Sequence, residues 1–244
     1  MSLLLLYEKY HKNIKTQKRV ISLNNFTYQN ILKNISKYIP NSGNVLDIGS
    51  ATGTISFYFA SKKLDVDGIE LSKNAVKFAN INKKLMSLKN VNFTNSSIEN
   101  YIPNKKYDLI ICLEVLEHIK NDKECLYKIS RLMNVNAALI ISVPSRNAPL
   151  FKLGLLNKFD KKVGHLRRYT ILDIESKINL SGLKIVKVFK CEGIFRNILF
   201  TNNIFGFLIK FMKFSIINYI FTFFDNLSIP IFGESQIILI CKKE

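Results

Sequence analysis

Cysteine is scarce in this chain: four stand in 244 residues, Cys112, Cys125, Cys191 and Cys241, and no two share a C-x-x-C spacing. That pattern excludes a zinc knuckle or a small disulfide framework. Four buried free thiols in a reducing, cytoplasmic setting are the expectation. Acids are few as well, 18 Asp+Glu against 36 Lys+Arg, for a formal net charge of +18. The imbalance suits anionic partners such as nucleic acid, phospholipid headgroups or phosphorylated substrates, without choosing among them. Long apolar runs are missing too. The start MSLLLLYEKYH has only four consecutive leucines before Glu8 and lacks a basic leader, so it does not read as a secretory signal. Further on, the longest charge-free run between Gly193 and Phe224 is Asn197 to Ile209, short of the roughly 18 residues a spanning helix needs. No repeat or low-complexity linker divides the chain, and 48% hydrophobic content suits one well-buried domain, 1–244.

What is present is an alternation of strand and helix patterns. Helical spacing over 23–38, carried by Ile31, Leu32 and Ile35, ends at the turn residues Pro40-Asn41-Ser42-Gly43, giving a helical N-terminal region, 1–40. A strand over 44–48, a helix to about Lys62, the strand DVDGIEL and a helix capped by Ser72 follow. Strands near 91–94 and at YDLIICL lead to a helix after Asn121-Asp122, with Leu126, Ile129, Leu132 and Met133 on one face, and then to AALIISV. This rhythm predicts an α/β, doubly wound fold with a parallel sheet between helical layers. Past Pro144 the rhythm breaks, and 145–169 reads as a long substrate loop. Thr170 then caps a helix ending near Gly182, and the strands LKIVKVF and SQIILIC flank an apolar helical insertion, 193–234.

The stretch VLDIGSATG places an apolar strand and Asp47 before a turn with Gly49 and Gly53, whose backbone can approach a ligand at a helix N-terminus. A dinucleotide fingerprint needs glycines where Ala51 and Thr54 stand, which argues against NAD. Glu70 closes the next strand about 20 residues on, where a carboxylate can accept both hydroxyls of a ribose. These residues resemble motif I of the class I S-adenosylmethionine-dependent methyltransferases, with Ala51 in place of the middle glycine. The resemblance spans Leu23 to Lys190. It implies a Rossmann-like, mostly parallel seven-stranded sheet with an antiparallel last strand. S-adenosylmethionine would be the cofactor, held by Asp47, Gly49, Ser50, Gly53, Glu70, Leu71, Ser97, Ile98 and Leu113. Ser97 stands where such enzymes commonly carry an Asp toward the adenine.

Glu114, Glu117 and His118 form E-x-x-E-H after the strand YDLIICL. In a helical segment this spacing places two carboxylates and an imidazole on one face, a donor set suited to Mg²⁺ or Mn²⁺. The string resembles that of the ubiquinone-biosynthesis O-methyltransferases and of the small-RNA 2′-O-methyltransferases. In those enzymes a divalent ion positions the acceptor hydroxyl, and in the RNA enzymes a further histidine joins it; His165 in VGHLRRYT is the candidate here. The alternative is His118 as a general base, with Glu114 beside it and no metal. Arg167, Arg168 and Tyr169 are candidates to face the substrate. The resemblance of GHLRRYT to methyltransferases of glycan, lipid and surface-polymer assembly implies a small-molecule, lipid-linked or glycan acceptor, methylated on oxygen.

The insertion reads as a lid, a dimer face or an interfacial helix giving peripheral membrane contact through 193–224, on the inner face of a membrane. RNA methylation is the runner-up, because the charge permits phosphate contacts while no stacking-aromatic motif is apparent. A binding protein without turnover on the same fold is the third reading. The oligomeric state is open.

Overall fold

The computed structural model describes residues 3–11 and 16–243. Its seven strands are β1 (Asn44–Ile48), β2 (Asp65–Glu70), β3 (Val91–Asn95), β4 (Tyr107–Leu113), β5 (Met133–Pro144), β6 (Leu183–Cys191) and β7 (Gln236–Lys243). They form one sheet in the order β3-β2-β1-β4-β5-β7-β6, in which β7 runs antiparallel to both neighbours and the other pairs are parallel. The helices are α1 (Leu3–Tyr10), α2 (Gln29–Ile35), α3 (Thr54–Ser61), α4 (Lys73–Leu85), α5 (Asp122–Leu132), α6 (Pro149–Lys152), α7 (Asn157–Val163), α8 (Ile171–Leu180), α9 (Ile194–Thr201), α10 (Asn203–Gly206) and α11 (Ser215–Phe232).

The central strands are apolar without alternation because helices cover both faces. On one face Ile110 and Leu139 pack with Leu126, Ile129, Ile174 and Ile178 of α5 and α8. On the other, Val45 and Ile140 meet Leu32 and Ile35 of α2 and Phe57 and Phe59 of α3. Helix starts follow the capping chemistry: Ser72 Oγ accepts from Ala75 N–H, Asn121 from Glu124 N–H, and Thr170 with Asp173 forms a reciprocal capping box. The four cysteines are buried free thiols.

Three expectations need correction. The N-terminal periodic segment is helical only from Gln29, because the preceding residues turn back through Asn25, whose side chain accepts from the N–H groups of Thr27 and Tyr28. Met133 opens β5 instead of extending α5. The stretch 145–169 is not a featureless loop, for it carries α6 and α7, the second closed by Gly164 at φ +87°.

The connections from β1 and from β4 leave the sheet in opposite directions, since β2 lies on one side of β1 and β4 on the other. The carboxyl ends of these strands therefore border a crevice, the place where open α/β sheets bind ligands.

Candidate active site

Between Ile48 and Thr54 the chain makes a tight left-handed turn, with Gly49, Ala51 and Gly53 at φ +72°, +46° and +88°. Glycine is strongly favoured here, because at φ +72° a Cβ would stand 2.4 Å from Val115 Cγ2. Gly49 and Ser50 both donate N–H bonds to the Ile69 carbonyl, at 2.9 and 3.0 Å, tying the turn to the end of β2. Asp47 lies below the turn, buried, its carboxylate accepting the Ser56 hydroxyl. Burial pushes its pKa up to about 7.

Glu70 bridges two loops. Its carboxylate accepts Ala51 N–H at 3.1 Å and Ser72 N–H at 2.9 Å. Each oxygen keeps a further lone pair, so the group is fixed in place and still able to accept a ligand hydroxyl. Leu71, Ser97 and Leu113 are half-buried around the crevice and Ile98 is buried. Ser97 Oγ accepts Asn100 N–H at 3.3 Å. Over this crevice lies α1, which the sequence pattern left without a role. Glu8 caps α4 by accepting the N–H groups of Lys73 at 2.6 Å and Asn74 at 3.3 Å. This anchors α1 so that Tyr7, its ionisation opposed by burial and by the charges of Glu117 and Glu70, packs edge-on against His118 with ring centroids 5.6 Å apart.

The segment after β4 is a single 3₁₀ turn, Leu116–His118, and not an α-helix, so the three ligand candidates do not share a face. Glu114, at φ +54°, swings toward the sheet, where its Oε1 accepts the Ser142 hydroxyl at 2.8 Å and the Gln236 amide at 3.0 Å. Glu117 instead points inward, fully buried, and among the described residues neither of its oxygens has a hydrogen-bond partner. Burial foremost, then the Glu114 charge, raises its pKa well above the usual carboxylate range.

Facing Glu117 Oε1 are His118 Nε2 and His165 Nε2, each at 3.7 Å. His118 Nδ1 lies 2.9 Å from the Gly164 carbonyl, which can only accept. His165 Nδ1 lies 3.0 Å from Asp160 Oδ1. Both rings therefore carry a proton on Nδ1 and turn Nε2 toward the Glu117 carboxyl, which has no hydrogen-bond partner among the described residues. The three groups place one ligand atom each within 4.8 Å of one another. Burial lowers His118 to about 4, which leaves it a poor general base near neutral pH.

The loop bearing His165 is held by the remaining members of its string. Arg168 makes a bidentate pair with Asp160, 2.8 and 2.6 Å, and Asp160 falls to about 2 under the opposing hydrogen bonds of His165 and Arg168. Arg167 reaches Asp122 Oδ2 at 2.7 Å, and the buried Tyr169 hydroxyl donates to the same carboxylate at 2.8 Å. Leu166 N–H donates to the Glu117 carbonyl at 3.0 Å. The expected substrate-facing role of Arg167, Arg168 and Tyr169 is thus not met; they clamp the loop. Asp160 was missed by the sequence reading, although it is the sole acid within the basic stretch 152–168.

The family model for a methyltransferase domain matches residues 39–195, which include the glycine turn, Glu70 and the Glu117–His118–His165 group. The chain belongs to that family. Its sheet order and antiparallel β7 are those of the class I, S-adenosylmethionine-dependent branch. The ubiquinone biosynthesis O-methyltransferase of Rickettsia typhi is 30% identical over 112 residues, which are 46% of this chain and 45% of that relative. The chain thus matches just under half the length of that curated relative. An uncharacterized RNA methyltransferase of Mycoplasma mobile is 35% identical over 99 residues, 37% of this chain and 27% of its own. Among solved structures, the N-methyltransferase NodS from Bradyrhizobium japonicum, in complex with S-adenosyl-L-homocysteine, aligns over 99% of this chain and 98% of its own, with TM-score 0.63 and 12% identity. A putative sarcosine dimethylglycine methyltransferase from Galdieria sulphuraria aligns over 91% and 86%, with TM-score 0.66 and 12% identity.

The crevice of this methyltransferase fits its family cofactor. The turn at Gly49 is closed to any side chain, and the buried Ser50 Oγ has no partner among the described residues. Glu70 stands fixed at the end of β2 with accepting capacity in reserve.

Proposed function

We propose that this methyltransferase methylates a hydroxyl oxygen of a small, lipid-linked or glycan acceptor at a divalent-metal centre formed by Glu117, His118 and His165. The observation that carries this reading is the fully buried Glu117 carboxylate, without a hydrogen-bond partner among the described residues, faced by two imidazole Nε2 atoms. A buried carboxyl without a hydrogen-bond partner is costly, and coordination of a metal ion would satisfy it. Asp160 on His165 and the Gly164 carbonyl on His118 are the outer partners that orient metal-binding imidazoles. Two nitrogens and one carboxylate suit Mn²⁺ better than Mg²⁺, whose ligands are chiefly oxygens, so Glu114 is left out of the proposed ligand set.

S-adenosylmethionine would supply a methyl group already activated on sulfonium, and the ion would lower the pKa of an acceptor hydroxyl and fix its position. The chain's own contribution is placement and enclosure. In this reading Gly49 and Ser50 border the cofactor, Glu70 accepts its ribose hydroxyls, and Ser97 and Ile98 flank its adenine. Tyr7 and α1 cover the crevice, which limits competing hydrolysis by water. His118 and His165 would hold the ion through Nε2, and Glu117 would balance part of its charge.

RNA is the second reading for the acceptor, favoured by the net charge of +18 and by the matched segment in the Mycoplasma mobile protein. Incubation of the purified chain with Mn²⁺, methyl-tritiated S-adenosylmethionine and fractionated cell extract distinguishes the two. Base-stable label in the lipid or small-molecule fraction supports the first reading and label in RNA supports the second. Absence of label from every fraction overturns both.

A further inference from the structure

The insertion between β6 and β7 is built inside out. Along α11 the residues turned toward the protein are mostly polar, Phe221 packing on Phe26 apart, and those turned away are apolar. Asn218 Oδ1 and Thr222 Oγ1 take the Gln29 amide at 2.7 and 2.9 Å. Asp225, fully buried, accepts the N–H groups of Gly193 and Arg196 at 3.0 and 2.9 Å and lies 3.4 Å from the Arg196 guanidinium. Ser228 Oγ accepts Ile194 N–H at 3.0 Å. The opposite face exposes Ile216, Ile220, Phe223, Phe224, Leu227 and Ile231, at 49–75% of their surface. Phe205, Phe207, Phe211 and Phe214 extend this apolar surface beyond α11. A helix facing water shows the reverse order, and a contiguous exposed apolar face marks an interaction surface.

The charges on this surface indicate what covers it. From Gly193 to Gly233 the charged residues are Arg196, Lys210, Lys213 and Asp225. Arg196 and Asp225 are buried against each other, whereas both lysines are exposed at the margin of the aromatic patch, with Lys213 Nζ 5.1 Å from the Phe214 ring centroid. The outer surface thus carries cations and no carboxylate. Two copies packed through it would gain no neutralising acid for these lysines, while an anionic bilayer accepts both the hydrocarbon face and the cations.

α11 is long and apolar enough to cross a membrane by length and composition. Crossing would strip Asp225 from Arg196 and from the N-terminus of α9 into hydrocarbon, so the helix is suited to lie flat. Asn197 Oδ1 accepts Leu150 N–H at 3.0 Å, which braces the insertion against α6, the helix that precedes the His165 loop.

We propose that the outer surface of α9–α11 docks this methyltransferase on an anionic phospholipid bilayer, in the interfacial plane. The proposal stands independently of the metal centre. The test is flotation of the full chain with phosphatidylglycerol vesicles and with phosphatidylcholine vesicles, together with light scattering for oligomeric state. The wild type should float with phosphatidylglycerol and far less with phosphatidylcholine. Lys210→Gln with Lys213→Gln should weaken binding about thirtyfold, at roughly 1 kcal/mol per cation. Phe223→Ser with Leu227→Ser should abolish flotation with the circular dichroism spectrum unchanged; should that variant misfold, the lysine pair still decides the matter. Failure of the wild type to float, equal flotation of both variants, or a stable dimer that does not bind vesicles would overturn the proposal.

Discussion

His165 Nε2 stands 3.7 Å from the carboxylate of Glu117, and its Nδ1 is held by Asp160 on the other side. The relationship joins the turn after β4 to the loop before α8 and turns two distant sequence segments into one donor set. Replacing Glu117 by Gln should therefore abolish calorimetric Mn²⁺ binding. Glu114→Gln should retain it, since Glu114 is engaged with Ser142 and Gln236. Equal loss in both variants would restore Glu114 to the set.

Asp160 serves two partners, and its removal should show twice. Asp160→Asn should weaken Mn²⁺ binding by about 10–100-fold through the freed His165 ring. It should also cost about 2–3 kcal/mol of stability, because the buried Arg168 loses its carboxylate. Denaturant unfolding with and without Mn²⁺ separates the two effects.

Asp47 makes stability depend on pH in a definite sense. Its pKa rises in the fold from the ordinary 3.8 to about 7, so the fold favours its protonated form. That contribution is fully present below about pH 4 and is lost as pH climbs toward 7. Asp47→Asn, neutral throughout, should gain on the wild type over this window, reaching a melting-temperature advantage on the order of 10 °C near neutrality. A constant difference from pH 4 to 7 would contradict the assignment.

At Gly49 the conflict is with one side chain. Gly49→Ala should cost about 1–3 kcal/mol, from the positive φ and the Val115 contact together. The double variant with Val115→Ala should recover part of that loss, as coupled neighbours do. Thermal melts of the two singles and the double measure the coupling.

Much of the fold was legible because strand and helix periods are distinct and caps mark the boundaries: Ser72, Asn121 and Thr170 each start a helix as their side chains predict. The glycine turn and Glu70 were legible from spacing alone. The donor set was legible only in part, for the i, i+3, i+4 rule assumes an α-helix, whereas a 3₁₀ turn and the positive φ of Glu114 redirect that side chain. Asp160 and Tyr7 reach the site only through tertiary packing, which no local pattern encodes. Asp225 lies mid-helix in α11 with its carboxyl turned inward, a placement set by tertiary contacts with α9.

The most direct test of the account is calorimetric titration of the purified chain with S-adenosylmethionine, with NAD as comparison. One-to-one micromolar binding of S-adenosylmethionine, no heat from NAD, and a weakened isotherm in Glu70→Gln are the expected results. A wild-type chain that binds NAD, or does not bind S-adenosylmethionine, would contradict the assignment of the crevice between β1 and β4.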